Sequence, residues 1–483
     1  MTFDIIIIGA GVIGCAIARE LSMYDYKILV LEKEDDVCSE ASKANSGIIH
    51  AGYDAKHTTL KARLNLEGNK RMHNLCKELD IPFQQNGSLV VGYEEADIQK
   101  LHELHYNGIK NGVEELKLLS GVEAEYLEPN LRRGVKAALY APTAGIICPF
   151  EMTLAFAQNA VTNGVEFGFC AEVIKISKVT VESEHLQNHS YGYVVYTRFD
   201  TFYTRIIINA AGAYADQIHN MVAMKKIKID VIKGEYCLYD KRRGREVTRT
   251  IFSLPTHQGK GVLVTRTIHN NLLVGPTAVS IEDKEGVDTT IEGVEEILYK
   301  GSQLVPTINE KDMITTFAGL RSCCQGGDFI IEECKEAEGF IDVLGICSPG
   351  LTSAPAIGLL VTEIVLKKIC VYKKVSACTT RKRPLSFCEL TEIEKQQWIK
   401  SDKAYGRVIC RCETITEGDV IAAIHGVIGA KSLDGIKRRI RAQSGRCQGG
   451  FCTPALIEIL ARELHIPVEE VTKKGRESFI VST

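Results

Sequence analysis

The sequence predicts a mixed α/β fold followed by a small cysteine-rich module. A continuous apolar run at residues 4–8 ends in a glycine-rich turn and leads into helical spacing, which is typical of a buried parallel strand followed by a helix. Residues 229–277 show little helical pattern and favour an antiparallel sheet. Residues 404–483 carry four closely grouped cysteines after a change in composition, which indicates a separate module.

Length and composition limit the classes of protein to consider. The chain has 483 residues, which at about 150 residues per domain suggests about three domains or one large composite with an appendage. Because 45% of the residues are hydrophobic and 25% are charged, disordered, collagen-like and disulfide-stapled classes are excluded. The net charge of -3 gives no overall field that would attract nucleic acid or an anionic membrane.

The cysteines and the apolar segments indicate a cytoplasmic protein. The 17 cysteines are odd in number and scattered, which fits a disulfide framework poorly and favours a reducing compartment. The first residues enter an apolar strand without the pattern of a secretory signal, so we expect the mature chain to begin there. The apolar segment 354–371 is interrupted by Pro355, Glu363 and two lysines, so we expect a packed helix and no direct membrane span.

The first strand, turn and helix predict a dinucleotide site. In this turn Gly9 permits a tight bend, Gly11 lets the backbone approach a pyrophosphate, and Gly14 lets helix and strand pack closely. Glu32 ends the next strand, 27–31, where its carboxylate can accept hydrogen bonds from ribose hydroxyls and would repel a 2′-phosphate. The motif does not separate NAD from FAD, but its position at the N-terminus and the segments that follow favour FAD.

Further elements follow in order along the chain. We expect helices at 61–79 and 151–162, and strands at 89–91, 204–209, 229–239, 261–265 and 271–274. Residues 371–403, with basic clumps and the only tryptophan, form a predicted connector.

Three segments carry a resemblance to a known family. These are SKANSGIIHAGY at 42–53 with LKAR at 60–63, IINAAGAYAD at 207–216, and CSPGLTSAPAIG at 347–358. In type and order they resemble the D-amino-acid oxidase-like superfamily of FAD-dependent oxidoreductases, and within it the glycerol-3-phosphate dehydrogenases and the L-2-hydroxyglutarate dehydrogenases. The matches span nearly all of residues 1–370.

The resemblance implies a Rossmann-like FAD-binding domain interleaved with an α+β substrate domain that contains the antiparallel sheet. We expect the FAD-binding domain at 1–85, 140–225 and 325–370, and the substrate domain at 86–139 and 226–324. It also implies that the N-terminus of the last helix points at the flavin pyrimidine, where it would stabilise the charge of reduced flavin. The predicted cofactor-binding residues are Gly9, Gly11, Gly14, Glu32, Ser42, Asn45, Ser46, Gly47, Ala211, Gly212, Gly350, Leu351 and Thr352.

The C-terminal module has the spacing of a four-thiolate site. Cys410 and Cys412 form one close pair, and Cys447 and Cys452 form the other. From spacing alone, zinc and a 2Fe-2S cluster fit comparably, since both accept four thiolates. The segments 406–413 and 445–452 resemble the bacterioferritin-associated-ferredoxin-like domain, which also ends the large subunit of the anaerobic-type glycerol-3-phosphate dehydrogenases. This resemblance implies a 2Fe-2S cluster.

Basic residues surround these cysteines in the sequence. We expect them to form a solvated helix face, and the alternative is that they raise the potential of the cluster or dock a partner. They are Lys437, Arg438, Arg439, Arg441 and Arg446.

Two histidines and one arginine are the candidates for catalysis. Alcohol oxidation by flavin needs a base for the hydroxyl proton, and His50 and His257 are the candidates. A small anionic substrate needs a fixed positive group, and Arg321 matches the anion-binding arginine of the family that the chain resembles. Secondary candidates for this contact are Lys233, Lys260 and Arg266.

Together these features predict a flavoprotein dehydrogenase. No second glycine fingerprint follows a strand, so we expect no NAD site, and a flavin with a one-electron cluster suggests transfer to electron-transfer partner subunits. The leading expectation is oxidation of glycerol 3-phosphate. The alternatives are an L-2-hydroxy-acid dehydrogenase, an amine or amino-acid dehydrogenase, and a noncatalytic electron relay. We expect any membrane association to run through partner subunits.

Overall fold

The computed structural model describes residues 1–179, 192–254 and 261–481. Within these ranges the α-helices are α1 (Val12–Leu21), α2 (Leu60–Glu78), α3 (Glu95–Asn111), α4 (Gly121–Leu127), α5 (Pro149–Thr162), α6 (Ala215–Val222), α7 (Ile291–Ser302), α8 (Gly350–Lys368), α9 (Glu392–Ser401), α10 (Glu417–His425), α11 (Leu433–Ile440) and α12 (Thr453–Leu464). The strands are β1 (Thr2–Ile8), β2 (Ile28–Leu31), β3 (Ile48–Ile49), β4 (Phe83–Gln84), β5 (Ser88–Gly92), β6 (Lys117–Ser120), β7 (Ala137–Ala141), β8 (Gly145–Ile147), β9 (Glu166–Gly168), β10 (Lys175–Lys178), β11 (Tyr193–Tyr196), β12 (Thr201–Asn209), β13 (Asp230–Tyr239), β14 (Thr250–Ser253), β15 (Leu263–Arg266), β16 (Leu272–Gly275), β17 (Val279–Ile281), β18 (Met313–Cys323), β19 (Ile330–Glu333), β20 (Phe340–Leu344), β21 (Val408–Cys410) and β22 (Ile415–Thr416).

The first large sheet carries the N-terminal strand at its centre. Its strands follow the order β10-β11-β12-β1-β2-β9, and β20 extends it beside β12 and pairs with β19. The pairs β1–β12, β1–β2, β2–β9 and β12–β20 are parallel. Residues 5–8 of β1 are buried, because α1, α5 and α8 cover one face of the sheet and a second apolar cluster covers the other. The continuous apolar run of the sequence therefore folds as a buried parallel strand, as predicted.

The second large sheet is mainly antiparallel. It has the order β17-β13-β16-β15-β14-β5-β7-β6, and β18 pairs with β13 along nearly its whole length. The antiparallel pairing predicted for residues 229–277 is confirmed for β13, β15 and β16, whereas β14 also pairs in parallel with β5. That parallel contact joins strands about 160 residues apart, and no local pattern predicts it.

The two sheets draw their strands from alternating parts of the chain. The first takes strands from 2–31, 166–209 and 330–344, and the second from 88–141 and 230–323. The predicted division at 139/140 falls inside β7, whose pairing with β5 continues to Ala141.

Helix α8 is long and apolar enough to cross a membrane by length and composition alone. It packs between α1 and α2 instead, and 61% of its most apolar stretch is buried in the protein. A side chain on Gly68 of α2 would overlap the carbonyl oxygen of Thr352, and one on Gly358 would lie 2.9 Å from the carbonyl oxygen of Ala16. Such close backbone contacts are those of a core helix. The helix runs over Gly350–Lys368, a few residues earlier than the predicted 354–371.

The C-terminal module has its own apolar core and is docked against both sheets. Helices α10, α11 and α12 surround this core, which includes the cysteines Cys410 and Cys452. The module touches the first-sheet side where α11 packs on α5.

Most of the basic residues of the module do not form a solvated face, contrary to the sequence-based expectation; only Arg446 among the five is exposed. Arg438 and Arg439 are buried and form ion pairs with Asp36, which follows β2, at 2.8 and 2.6 Å. Arg441 reaches Glu413 at 3.0 Å, and Arg446 reaches Asp240 at 3.0 Å. These side chains are occupied by contacts within the chain, most of which hold the module to the rest of the molecule. Lys437 is partly buried beside them, and its burial lowers the pKa of its ammonium group.

Candidate active site and cysteine site

The glycine turn between β1 and α1 is shaped by backbone contacts that leave no room for side chains. A Cβ on Gly9, whose φ is 104°, would lie 2.5 Å from the carbonyl oxygen of Ala210, and a Cβ on Gly14 would overlap the carbonyl oxygen of Gly9. The hydroxyl of Ser42 accepts a hydrogen bond from the N–H of Val12 at 2.9 Å. The backbone of the turn thus closes tightly, and Gly11, Val12 and Ile13 at the start of α1 line a cavity, which is the cradle that a pyrophosphate needs.

Glu32, the residue directly after β2, contacts the backbone of this turn. One carboxylate oxygen accepts the N–H of Ala10 at 2.7 Å, and the other accepts the N–H of Glu34 at 3.0 Å. Burial raises the pKa of Glu32, and these two hydrogen bonds oppose the rise. Each carboxylate oxygen keeps a lone pair for a ribose hydroxyl.

Residues 41–47 form a tight segment beside the turn. The side-chain amide of Asn45 donates to the carbonyl oxygen of Ser42 at 2.8 Å, and its oxygen accepts the N–H of Gly47 at 2.9 Å. A Cβ on Gly47, whose φ is 66°, would overlap the carbonyl oxygen of Ile147. A Cβ on Gly319 of β18 would overlap the carbonyl oxygen of Ala44, so the segment also lies directly against the second sheet.

A cavity of about 730 Å³ lies between the two sheets. It is bounded by the start of α1, the segment 41–50, the facing strands β13 and β18, and the start of α8. Its volume lies in the range typical of ligand sites. The predicted residues that line it are Gly11, Ser42, Asn45, Ser46, His50, Gly212, Arg321, Gly350 and Leu351.

The other predicted cofactor residues lie next to this cavity without lining it. Gly9 and Gly14 shape the turn, Glu32 supports it, and Ala211 precedes Gly212. Thr352 lies in the first turn of α8, and Gly47 lines a second cavity described below.

His50 lies where the segment 41–50 meets the start of α8. Its Nε2 is 3.3 Å from the hydroxyl of Ser348, and its backbone N–H donates to the hydroxyl of Thr352 at 2.9 Å. The ring lies 6.0 Å from the ring of Phe252, which also lines the cavity. Contacts from both sides therefore fix the imidazole at the cavity wall.

Arg321 projects from β18 into the same cavity. It pairs across the sheet with Ile232 of β13, and a Cβ on Gly234 would lie 2.6 Å from its guanidinium. Its Nη2 donates to the carbonyl oxygen of Thr277 at 3.5 Å, and no carboxylate within the described residues forms an ion pair with it. The guanidinium is therefore oriented but not neutralised.

Two of the secondary candidates for anion binding, Lys233 and Arg266, do not line the cavity with Arg321. Lys233 neighbours Ile232, so strand alternation turns it to the other face of β13, where it pairs with Asp288 at 3.3 Å. Arg266 donates to the side-chain oxygen of Gln84 at 2.8 Å and does not line the cavity. His257 and Lys260 lie outside the described residues.

The structure adds a cluster at this wall that the sequence reasoning missed. The ammonium of Lys61 lies 3.3 Å from the sulfur of Cys347, and the thiols of Cys323 and Cys347 interact. This interaction, with burial, raises the pKa of Cys323. Lys61 and Cys347 stand in the quoted motifs, but only the fold brings α2 to the loop before α8.

The four cysteines of the module come together as two pairs. The sulfurs of Cys412 and Cys447 are 3.6 Å apart, close to the roughly 3.8 Å that separates two thiolates on one tetrahedral ion. The thiols of Cys410 and Cys452 also interact, and burial with this neighbour raises the pKa of Cys452 to about 11. No three of the four thiols lie within 4.8 Å of one another in the described ranges. A single zinc ion would need all four as mutual neighbours, whereas two irons take one pair each.

The loop around Cys447 presents backbone amides to sulfur. Burial opposes it, but the N–H groups of Phe451 and Gly449 hold the pKa of Cys447 below its usual value. A Cβ on Gly445 would overlap the Cβ of Cys412, so glycine is needed for the two loops to meet. Cys452 is the N-cap of α12, with Pro454 in the first turn, as the sequence predicted.

A second cavity, of about 750 Å³, lies where the three parts of the molecule meet. Gly47 and Ala44 line it from the segment 41–47, Phe317 from the second sheet, and Ser444 and Gln448 from the cysteine module. Gln448 directly follows Cys447. The cysteine site and the segment 41–47 thus border one common space.

Comparison with known proteins finds a family match for each of the two parts of the chain that contain these sites. The family described as FAD dependent oxidoreductase matches residues 4–364, and the BFD-like [2Fe-2S] binding domain matches residues 408–462. The chain is 48% identical to a glycerol 3-phosphate dehydrogenase of Caloramator mitchellensis, over 99% of this chain and 98% of the relative. It is 28% identical to an L-2-hydroxyglutarate dehydrogenase of Indibacter alkaliphilus, over 76% of this chain and all of the relative.

A solved structure shares the fold of the two-sheet part. It is the dithionite-reduced L-alpha-glycerophosphate oxidase of Mycoplasma pneumoniae with FAD bound, which is 32% identical to this chain with a TM-score of 0.74. The match covers 80% of this chain and all of the oxidase. The expected fold class, with its nucleotide-binding part and iron–sulfur module, is confirmed.

Proposed function

Because the chain belongs to the FAD-dependent oxidoreductase family and carries a BFD-like [2Fe-2S]-binding domain, we propose that it is a dehydrogenase that oxidises glycerol 3-phosphate to dihydroxyacetone phosphate. When bound, FAD supplies a hydride acceptor and the cluster supplies a one-electron carrier. The observation that carries the proposal is the cavity of about 730 Å³ that brings the nucleotide turn, His50 and Arg321 together.

Arg321 is proposed to bind the phosphate of the substrate. Its guanidinium faces the cavity without an acidic partner in the described residues, and its fork matches two oxygens of a phosphate. The packing of Gly234 against it sets its direction. The substrate carbon would then lie at a fixed distance from the anion site.

His50 is proposed to accept the hydroxyl proton of the substrate, and His257 remains the alternative base. The contacts of His50 with Ser348 and Thr352 place its imidazole at the cavity wall beside the start of α8. Its two ring nitrogens suit proton acceptance near neutral pH. His257 follows β14, whose residue Phe252 lines the same cavity.

The cysteine site is proposed as the exit for electrons to a partner. Ser444 and Gln448, beside Cys447, line the same cavity as Ala44 and Gly47. The side of the cysteine site that borders this cavity therefore faces the segment 41–47. On the outer side Cys412 and Phe451 are exposed to solvent. This arrangement supports a path in which electrons enter on the inner side and leave on the outer side to electron-transfer subunits.

An L-2-hydroxy acid is the second candidate substrate. Arginine binds a carboxylate as well as a phosphate, and the relatives include L-2-hydroxyglutarate dehydrogenases. The glycerol 3-phosphate proposal is favoured because the relative with that name is similar over both the two-sheet part and the cysteine module. Amine or amino-acid oxidation and a noncatalytic relay remain as further alternatives.

Anaerobic titration of the purified holoprotein tests the substrate. Glycerol 3-phosphate, L-2-hydroxyglutarate and amino acids are added separately while the visible flavin absorbance is followed. We expect glycerol 3-phosphate to bleach it at lower concentration than any other compound. Bleaching by L-2-hydroxyglutarate alone would replace the proposed substrate, and bleaching by none of the compounds would favour the relay.

Metal and sulfide analysis tests the electron exit. We expect iron and acid-labile sulfide in equal amounts in the wild type and in Cys388→Ser, an exposed cysteine of the connector, and loss of both in Cys412→Ser. Substrate should then reduce the cluster in the wild type, as seen by electron paramagnetic resonance. Zinc in place of iron, or an unreduced cluster, would remove the proposed path.

A further inference from the structure

Three side chains with metal-binding atoms meet at one wall of the second cavity, outside both sites described above. Cys148 is the residue before α5, Glu151 lies in the first turn of α5, and His269 lies in the connection between β15 and β16. The thiol, carboxylate and imidazole atoms all lie within 4.8 Å of one another. Cys148 and His269 line the cavity.

The spacing is that of ligands around one ion. His269 Nε2 lies 3.3 Å from a carboxylate oxygen of Glu151. Two ligands at about 2.0–2.1 Å from a tetrahedral ion are separated by about 3.3–3.4 Å. The pair therefore has the separation that a shared metal would impose.

Two polar atoms of this cluster are buried and form no well-directed hydrogen bond. Glu151 Oε2 has no hydrogen-bond partner within the described residues, and His269 Nε2 has only the 3.3 Å approach to the other carboxylate oxygen of Glu151, which does not form a hydrogen bond of ordinary geometry. Buried polar atoms are rarely left without a partner, because desolvation then goes uncompensated. Two such atoms in one cluster point to a bound group that both contact.

A second group of three side chains with metal-binding atoms differs from this cluster in its hydrogen bonds. His219, Cys334 and Asp342 also lie within 4.8 Å of one another. There, however, both ring nitrogens of His219 have partners, at 2.7 Å from Asp342 and 3.2 Å from the carbonyl oxygen of Lys225. The ring nitrogens of this histidine therefore already have partners within the protein.

We propose that Cys148, Glu151 and His269 bind a Zn²⁺ ion whose fourth coordination position opens into the cavity. A thiolate, an imidazole and a carboxylate together are a ligand set typical of zinc, while Mg²⁺ and Ca²⁺ prefer oxygen alone and Cu⁺ prefers sulfur. The deprotonated thiolate that the site requires forms on binding, with release of a proton to solvent.

The ion would join parts of the molecule that meet only in the fold. Cys148 and Glu151 belong to the start of α5, and Ile147, the residue before Cys148, packs on Gly47. His269 belongs to the second sheet, close to Asn271, which accepts a hydrogen bond from Arg441 of the cysteine module. The ion would thus hold the segment 41–47, the second sheet and the cysteine module in fixed relative positions.

Zinc stoichiometry of the full-length holoprotein tests this proposal. The protein is incubated with zinc sulfate, freed of unbound metal by gel filtration, and analysed for zinc and iron by mass spectrometry. We expect one zinc per chain in the wild type and in the controls Cys370→Ser and His73→Ala, which replace exposed residues. In Cys148→Ser, Glu151→Gln and His269→Ala, zinc affinity should fall about tenfold or more while iron is unchanged.

Thermal unfolding is the second readout, since it shows that each variant is folded. Zinc should raise the melting temperature of the wild type and the controls but not of the three variants, because a ligand that binds only the folded state stabilises it. Zinc binding by all three variants as in the wild type would overturn the proposal. Absence of zinc binding in the wild type, or its loss only in Cys412→Ser, would also overturn it.

Discussion

At the scale of single residues, Arg321 and Lys233 show that strand alternation determines which side chain faces the cavity. Both are cations of the second sheet that the sequence offers for anion binding, and they lie on neighbouring paired strands. The register places Arg321 opposite Ile232, so Arg321 faces the cavity and Lys233 faces away. The sequence motif could suggest both residues, but only the pairing of β13 with β18 separates them.

Replacing Arg321 with methionine tests its proposed role. The variant keeps most of the side-chain volume but loses the charged hydrogen bonds to the substrate anion, which contribute about 1.5–3 kcal/mol each. We expect KM for glycerol 3-phosphate to rise roughly 10- to 100-fold with FAD content unchanged. Steady-state kinetics with an artificial electron acceptor measures this.

The matched control is Arg266→Met, because Arg266 bonds Gln84 away from the cavity. Its KM should stay near that of the wild type. If both variants behave alike, Arg321 has no special part in anion binding.

The two candidate bases are separated by their pH profiles. A base must be unprotonated, so kcat/KM rises with pH through its pKa and then levels off. We expect His50→Asn to lower kcat/KM by about 10²- to 10⁴-fold and to remove this rise, and His257→Asn to leave it in place. The opposite pattern would assign the base to His257.

At the scale of elements, the β1-turn-α1 unit is the part that the sequence predicts best. The apolar run, the three glycines and Glu32 act through neighbours in the chain, and the structure places each where its type requires. Two other features depend on distant contacts. The parallel pairing of β14 with β5 and the packing of Gly68 against Thr352 follow from the assembled fold and leave no local pattern.

Gly14→Ala tests the close packing of this unit. The added methyl group would overlap the carbonyl oxygen of Gly9, so the turn must shift and the pyrophosphate cradle opens. Overpacking of about 1–3 kcal/mol corresponds to a loss of FAD affinity of roughly 10- to 100-fold. Fluorescence titration of the apoprotein with FAD measures it.

Gly406→Ala is the control, since its added Cβ would lie 3.4 Å from a side-chain carbon of Ile399. It should bind FAD as the wild type does. Full FAD affinity in Gly14→Ala would contradict the account of the turn.

At the scale of the whole molecule, the docking of the cysteine module was the feature that sequence reasoning misjudged. The charges of α11 suggest a solvated face, yet Arg438 and Asp36 lie 402 positions apart in the chain and are both buried. Helical spacing identifies a basic face, but it does not identify what covers that face. The ion pairs with Asp36 therefore set how the module lies against the cofactor side.

Asp36→Asn tests this docking through its pH dependence. Burial alone would raise the pKa of Asp36, but Arg439 and Arg438 hold it below the usual value of 3.8. A lowered folded-state pKa means that the stabilisation is present above the unfolded pKa and is lost as pH falls through the folded value. The pair therefore stabilises the molecule at neutral pH and loses this effect in acid.

We expect Asp36→Asn to destabilise the protein by about 3–5 kcal/mol at pH 7, because two buried guanidinium groups lose their carboxylate. The difference from the wild type should begin to shrink as pH falls below about 4, where Asp36 of the unfolded chain takes up a proton, and should disappear once pH has fallen through the lowered folded-state pKa. Urea unfolding followed by circular dichroism at several pH values measures both effects. Asp25→Asn, at an exposed position, should match the wild type throughout. A difference that stays constant down to acid pH would mean that the charge of Asp36 contributes nothing to the docking of the module.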